Sequence, residues 1–403
     1  MKIYNTKKRL DVISNTFCPF FENNQILLEN ISYPLPNFYI YTANYGNFEK
    51  LIYGEEKKHQ YHLSGYGLTN NEALMSFLGE ASERYSYVTS YLQMKTYIDK
   101  YIYVSENKID VDILKQYNPN FKEEEYIELV EAKTITGGTI VCPVELIVFD
   151  TYKENKKFQS VSTGTSAHET EFKALSNAII EYLQLDSFNL WWYLGFKGKE
   201  VEIESILNKM GFSNDFFEYF EIKVTDVSFD KPINVYVCEI FGVENKNVPL
   251  YTVGIQGGLK KESAIYRSIM EALTILEYNF SIKWFNESDY KKVNDDTVFD
   301  DLDKNVIYYS KFGKKKMKTQ DFNNWCEYKI LNDIELVDYI KEKYPNTAIF
   351  DISAPELEHL NQKVVRIYIP ELIPMMVSNN IYSNHERFLK YGGVVNYEPN
   401  PLP

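Results

Sequence analysis

Ser76, Glu80, Glu83 and Arg84 stand at i, i+4, i+7 and i+8 within the stretch SGYGLTNNEALMSFLGEASERYS, residues 64–86. On a helix those four share one face, while Leu74, Phe77, Leu78, Ala81 and Tyr85 give an apolar face for docking. Two carboxylates and an arginine on a largely buried helix are costly unless a metal ion or a phosphate compensates them. For this helix taken alone, a solvated Glu–Arg face is the simpler reading. The pattern, however, returns twice. Asn177, Glu181 and Gln184 take i, i+4 and i+7 on a helix expected from about Glu169 to Tyr193, with Phe172, Leu175, Ile179, Tyr182 and Leu183 as its apolar contacts. Arg267, Glu271 and Thr274 take the same places within Glu262–Ile282.

Each helix is preceded by a strand-like run and glycines. Tyr61–Leu63 leads into the turn Gly65-Tyr66-Gly67, Phe158–Ser162 into Thr163-Gly164-Thr165-Ser166, and Pro249–Gly258 ends in glycines itself. The unit recurs at intervals of roughly a hundred residues, too long for a solenoid but suited to a pseudo-repeated core whose helices face one site. Three glutamates converging there make a hard-cation site, because magnesium takes oxygen ligands and leaves positions for phosphate oxygens. Arg84 and Arg267 would meet the phosphate charge. No GxxxxGK[ST] run occurs, so helix stripes rather than a P-loop would hold a nucleotide.

Further strands are expected at Phe38–Gly46, Thr139–Asp150, Asn346–Ser353 and Lys363–Pro374, with a peripheral helix at Val111–Tyr117. The division expected is a β-rich portion over residues 1–60 and a core over 61–403 that includes a proline-rich tail, 397–403. Pro399, Pro401 and Pro403 make that tail either a stiff extended arm or an ordinary disordered end. The lysine run 314–318 reads as solvated surface, with a docking patch as the lesser alternative. A hydrogen bond at a helix start is the expected role of His168.

The 403 residues, 44% hydrophobic and 25% charged, are those of an ordinary globular protein with ample core. A formal charge of −14 argues against general affinity for nucleic acid or an anionic membrane. Cys18, Cys142, Cys238 and Cys326 form no CxxC or Cys/His cluster, which disfavours a zinc site and a disulfide framework. Free thiols, no apolar leader and no membrane-length apolar run together give the expectation of a soluble cytoplasmic protein.

The run Ser76-x3-Glu80-x2-Glu83-Arg84 resembles the Sx3Ex2ER signature of the YcaO family. Asn177-x3-Glu181-x2-Gln184 is similar to that family's second nucleotide motif and Arg267-x3-Glu271 to its third. VVRIYIPELIP resembles its C-terminal core strand, and Pro399-x-Pro401-x-Pro403 the tail of its azoline-forming branch. The resemblance covers most of the chain and implies an α+β, YcaO-like fold of β-sheets with packed helices around an ATP site. It implies ATP bound by Ser76, Glu80, Glu83, Arg84, Asn177, Glu181, Gln184, Arg267 and Glu271. Mg2+ would be held by Glu80, Glu83, Glu181 and Glu271. Glu181, Arg267 and Pro403 would be catalytic, Pro403 through a C-terminal carboxylate.

The activity so implied is that of an ATP-dependent cyclodehydratase subunit acting on a ribosomal precursor peptide. A Cys, Ser or Thr side chain attacks the preceding amide, ATP phosphorylates the amide oxygen, and phosphate leaves to give a thiazoline or oxazoline. The alternatives are thioamide formation on the same fold and a silent scaffold subunit. Expected partners are a ThiF-like subunit with a leader-peptide-binding domain, the precursor peptide, a flavin-dependent dehydrogenase and a second copy of the chain. Three departures from the family's pattern stand out: Tyr66 stands where lysine is frequent between the glycines, Thr274 stands where Gln is frequent, and Leu185 follows Gln184 where many relatives carry a charged Glu-Arg pair.

Overall fold

The computed structural model describes residues 17, 20–21, 25–45, 61–104, 107–148, 156–294, 302–326, 331–376 and 380–402. Within them the chain runs β1 (Leu27–Ile31), β2 (Phe38–Tyr45), β3 (Tyr61–Gly67), α1 (Asn70–Gln93), β4 (Thr96–Lys100), α2 (Val111–Tyr117), β5 (Tyr126–Thr134) and β6 (Thr139–Pro143). It continues through β7 (Thr165–His168), α3 (Glu171–Tyr193), β8 (Lys199–Glu200), α4 (Glu204–Met210), β9 (Phe220–Asp226), β10 (Asn234–Gly242), β11 (Tyr251–Gly258) and α5 (Lys261–Phe285). The last elements are α6 (Glu287–Lys292), α7 (Leu302–Phe312), α8 (Asp333–Lys343), β12 (Ala348–Asp351), β13 (Lys363–Tyr368) and α9 (Glu386–Leu389).

The strands form three antiparallel sheets: β1-β2-β3, β11-β10-β9-β8, and β4-β5-β12-β13-β7 with β6 on β5. This is the mixed α+β architecture that the sequence leads one to expect. The long helices join the sheets: α1 packs on β3 and β7, α3 on β13, β7 and β11, and α5 on β11 and β10. Leu74, Phe77, Leu78, Ala81 and Tyr85 are all buried under α1, in one cluster with Phe21, Tyr41 and Leu63. On α3, Ile179, Tyr182 and Leu183 are buried as expected, but Phe172 is 45% exposed because it sits in the first turn, before the helix meets its sheet.

Local chemistry sets the helix starts. The Thr69 side chain accepts the Glu72 N–H, and Thr170 accepts that of Lys173. Thr170 thus has the role expected of His168, whose buried Nδ1 has no hydrogen-bond partner among the described residues. No described helix is long and apolar enough to cross a membrane.

Three expected elements differ. Gly65 and Gly67 are the last residues of β3 rather than a turn. Phe158–Ser162 is not a strand: the Val161 carbonyl is taken by Tyr87 Oη at 2.8 Å and by Arg366 Nη2 at 2.9 Å, and the strand forms after Gly164 instead. Thr139–Pro143 is a strand but gives way to a 3-10 turn at Val144–Leu146, and residues 149–150 lie outside the described residues.

Gly65 is required by close approach, since a Cβ there would lie 2.2 Å from the Phe77 nitrogen and 2.4 Å from the Ala73 oxygen of α1. Gly79, mid-helix in α1, has open space around its Cβ direction. Gly65→Ala should therefore cost about 1–3 kcal/mol through overpacking, whereas Gly79→Ala should add about 0.5–1 kcal/mol through helix propensity. Denaturant unfolding of the two variants should show opposite signs; equal effects would mean that α1 can move off β3.

Candidate functional site

One hydrogen bond is made three times. Glu80 Oε2 accepts the Ser64 N–H at 3.1 Å, Glu181 Oε2 that of Gly164 at 3.1 Å, and Glu271 Oε2 that of Ile255 at 2.8 Å. Donor and acceptor are 16, 17 and 16 residues apart, so each central glutamate ties its helix to the backbone leading into it. The strand–glycine–helix unit read from the sequence is thus also a repeat of one carboxylate contact.

The residue three places further on links one unit to the next. Glu83 Oε1 accepts the Ala167 N–H at 2.9 Å, joining α1 to β7, the strand before α3. Gln184 Oε1 accepts the Gly257 N–H at 2.6 Å, joining α3 to β11, the strand before α5. Thr274 holds the same place on α5, but its hydroxyl donates to Met270 O of its own helix at 2.9 Å. Its short side chain closes on the preceding turn, as threonine in a helix tends to do, and the series of links stops there.

These contacts bring Glu80, Glu83, Arg84, Glu181, Arg267 and Glu271 into one electrostatic neighbourhood. Burial pushes Glu83 up to about 8, the Ala167 N–H opposing it and the charges of Glu181 and Glu80 adding to it. Burial raises Glu181 to about 7, held back by the Gly164 N–H, Arg366 and Arg84. Glu271 rises to about 8 through burial, which the Ile255 N–H opposes and Glu80 reinforces. Arg84 Nε lies 3.7 Å from Glu80 Oε1. Ser76, Asn177 and Arg267 are half-buried on the same stripes. Tyr66 reaches this region too: burial raises its phenol first and the Glu271 charge next, with Arg267 opposing.

The sequence reading overlooked Arg366. It sits in β13, 1% exposed, and donates to the carbonyls of Thr163, Val161 and Leu146, so it pins the loop whose Gly164 N–H holds Glu181. The signal was available, because an arginine inside the apolar run VVRIYI must be satisfied internally.

The proline-rich tail is docked rather than loose. Tyr309 Oη donates to Pro399 O at 2.6 Å, Trp192 Nε1 to Glu398 O at 3.1 Å, and Asn400 Nδ2 to Met376 O at 2.6 Å. Asn400 and Leu402 are buried. Met375, beside that acceptor, donates its N–H to Thr163 Oγ1 at 2.9 Å, which connects the tail to the Gly164 loop. Pro403 lies outside the described residues.

Among the described residues no three His, Cys, Asp or Glu side chains come close enough to hold a metal ion by themselves. Glu80, Glu83, Glu181 and Glu271 therefore do not form the single ligand cluster expected of them. Glu80 is bonded to Ser64 of β3 and Glu271 to Ile255 of β11, while Glu83 and Glu181 are bonded to Ala167 of β7 and to Gly164 just before it. A family model described as YcaO cyclodehydratase, ATP- and Mg2+-binding, matches residues 64–373. The donor set suits that description. It offers only hard oxygen ligands, and Mg2+ bound with phosphates needs just one or two carboxylates besides phosphate oxygens and water. Two arginines stand beside them for the phosphate charge.

Solved structures share the fold. A heterocyclase in complex with substrate and cofactor is 17% identical over 94% of this chain, with a TM-score of 0.63; this chain spans only 54% of that one. The YcaO of Methanopyrus kandleri, bound with AMPPCP and Mg2+, is 14% identical over 99% of this chain and 96% of its own, with a TM-score of 0.56. The E. coli microcin synthetase McbBCD complex with pro-MccB17 bound is 12% identical, covering 94% and 96%, with a TM-score of 0.65. None of the curated proteins matches the sequence. A match that spans most of the chain and takes in every stripe residue from Ser76 to Glu271 places this chain in the YcaO family.

Proposed function

We infer that the chain is the ATP-dependent cyclodehydratase subunit of a system that converts Cys, Ser or Thr residues of a ribosomal precursor peptide to azolines. The observation that carries this reading is the threefold tie of Glu80, Glu181 and Glu271 to the strands before their helices. In that chemistry the substrate side chain attacks the preceding amide carbon, and the amide oxygen takes a phosphoryl group from ATP. That attack closes the ring; phosphate then leaves with the former amide oxygen as the nitrogen loses its proton and the C=N bond of the azoline forms. Mg2+ supplies charge neutralisation on the phosphates.

The chain's own side chains do the rest. Glu80, Glu83, Glu181 and Glu271 offer oxygen ligands at positions fixed by backbone bonds, so little reorganisation is needed as charge develops. Arg84 and Arg267 face the same negative groups. Ser76, Asn177 and Gln184 complete the nucleotide contacts, and Pro403 would position the attacking group. Capture of the peptide belongs to a ThiF-like partner with a leader-binding domain. A homodimer within the assembly and a flavin-dependent dehydrogenase acting on the product complete the proposed system.

Thr274 favours a second reading, the silent scaffold, because the third inter-helix link is missing. Calorimetric titration with a slowly hydrolysed ATP analogue, with and without Mg2+, separates the two. Magnesium-dependent binding that is lost in Glu181→Ala, with an unchanged circular dichroism spectrum, is the expected result. No binding even with the partner subunit present would leave the scaffold reading standing.

A further inference from the structure

A cavity of about 270 Å³ lies at the C-terminal end of α3, walled by Trp191 and Trp192. Ten residues separate Trp191 from Glu181, or about 15 Å along the helix, so the cavity is distinct from the nucleotide site. Lys314 lies over both indoles, its Nζ 4.5 Å from the centre of Trp191 and 5.4 Å from that of Trp192. It is held there by an ion pair to Glu239, whose side chain is only 6% exposed and also accepts the Tyr251 hydroxyl at 2.9 Å. The run 314–318 thus begins as a built wall rather than as solvated surface.

The lining carries four lysines and two glutamates on a chain of net charge −14. Lys314 is neutralised by Glu239, but Lys318 is exposed at the mouth and its ammonium has no partner among the described residues. Trp191 and Trp192 are 9% and 1% exposed and covered by Lys314. The apolar lining left to a ligand is what they share with Phe196 and Met317, and beside the Lys318 ammonium it selects an apolar group next to an anion. The volume suits one or two side chains rather than a whole cofactor. One wall includes Glu200 of β8, which among the described residues is the last strand of its sheet.

We propose that this cavity is a subsite for the peptide substrate, taking an apolar residue beside a carboxylate residue. The distance corresponds to about four or five extended residues from the nucleotide site. The proposal rests on the peptide-modifying function inferred above. It also explains why the cavity shares its walls with the tail's anchor: Trp192 Nε1 holds Glu398 O, and the Lys318 N–H and carbonyl are both bonded to the Asn396 side chain at 2.9 Å.

The test is a titration of the full chain with N-acetyl-Phe-Glu-amide, followed by tryptophan fluorescence, with N-acetyl-Phe-Gln-amide and free phenylacetate as comparison probes. Saturable binding is expected, about tenfold weaker for the Gln peptide and in Lys318→Met, and absent in Trp191→Ala. Lys314→Met strands a buried glutamate, so the exposed Lys318 carries the test. Nucleotide binding should be unchanged in Lys318→Met, which keeps a failure here apart from a failure of the nucleotide site. No saturable binding, equal binding by Lys318→Met, or phenylacetate binding as tightly as the Phe-Glu peptide would each overturn the assignment.

Discussion

Replacing Arg387 with methionine should lower the stability of the chain by about 3–5 kcal/mol, because it leaves buried carboxylates short of a cation. Asp186 of α3 is fully buried and receives Arg387 Nη2 at 2.6 Å and Lys231 Nζ at 2.6 Å. Asp230 receives Arg387 Nη1 at 2.7 Å and Lys231 Nζ at 2.6 Å. Two anions and two cations therefore balance, with the Ile373 N–H and the Tyr391 hydroxyl completing the set. Burial alone would raise Asp186, but Arg387 and then Lys231 more than reverse it, and its carboxyl stands at about 2.

The folded pKa is thus depressed. The network's contribution is present above the ordinary carboxylate range, near 4, and is lost only as pH falls toward 2. The effect of Arg387→Met on urea unfolding should accordingly be level from pH 5 to 8. A loss below about 1 kcal/mol, the size of an exposed pair, would mean that water reaches these charges. The same variant should loosen residues 381–402, since α9 is fastened to α3 through this guanidinium. Hydrogen exchange at Asn396 and Leu402 would show it.

This network could not be read from the chain. Asp186 lies on the face of α3 opposite the Asn177, Glu181 and Gln184 stripe, and its partners Lys231 and Arg387 are 45 and 201 residues away. Local pattern carries no information about such a contact. The helices were legible because their chemistry is periodic: the stripe residues and the apolar faces both follow the helical repeat. Sheet order was not, since β7 pairs with β13 and β12 with β5 across long intervals.

Gly164 stands in the expected turn, with a φ of 84°. Gly65 is needed where β3 meets α1, not for a turn. Phe158–Ser162 has a strand's composition and still forms none, because Tyr87 and Arg366 take the Val161 carbonyl, which a ladder would need. Tertiary side chains overrode propensity there. In the candidate site the glutamates were legible, while the loop that orients Glu181 depends on Arg366, a residue legible only as a charge where none is affordable.

Binding of the Mg2+–nucleotide complex should release protons and should tighten between pH 6 and 8. Glu83, Glu181 and Glu271 stand at about 8, 7 and 8 in the free chain, so near neutrality each is substantially protonated. A carboxyl group must lose its proton to act as a metal ligand. For Glu181 alone, a pKa of about 7 makes the deprotonated fraction grow about tenfold across that window, and affinity should follow it. Titrating with preformed Mg2+–nucleotide in buffers of different ionisation enthalpy counts the protons from the protein, because the phosphates have already lost theirs.

Stability without nucleotide should move the other way. These folded pKa values lie above the unfolded carboxylate value, near 4.3. Their contribution is therefore complete below that value and declines as pH rises toward 8. Thermal unfolding of the free chain should fall across this range, and saturating Mg2+–nucleotide should flatten the fall. Affinity independent of pH, with no proton released, would mean that the three glutamates are already ionised and that the backbone N–H bonds at Gly164, Ala167 and Ile255 outweigh their burial. The same three bonds would then be the site's principal electrostatic device, with phosphate meeting carboxylates whose charge is already stabilised.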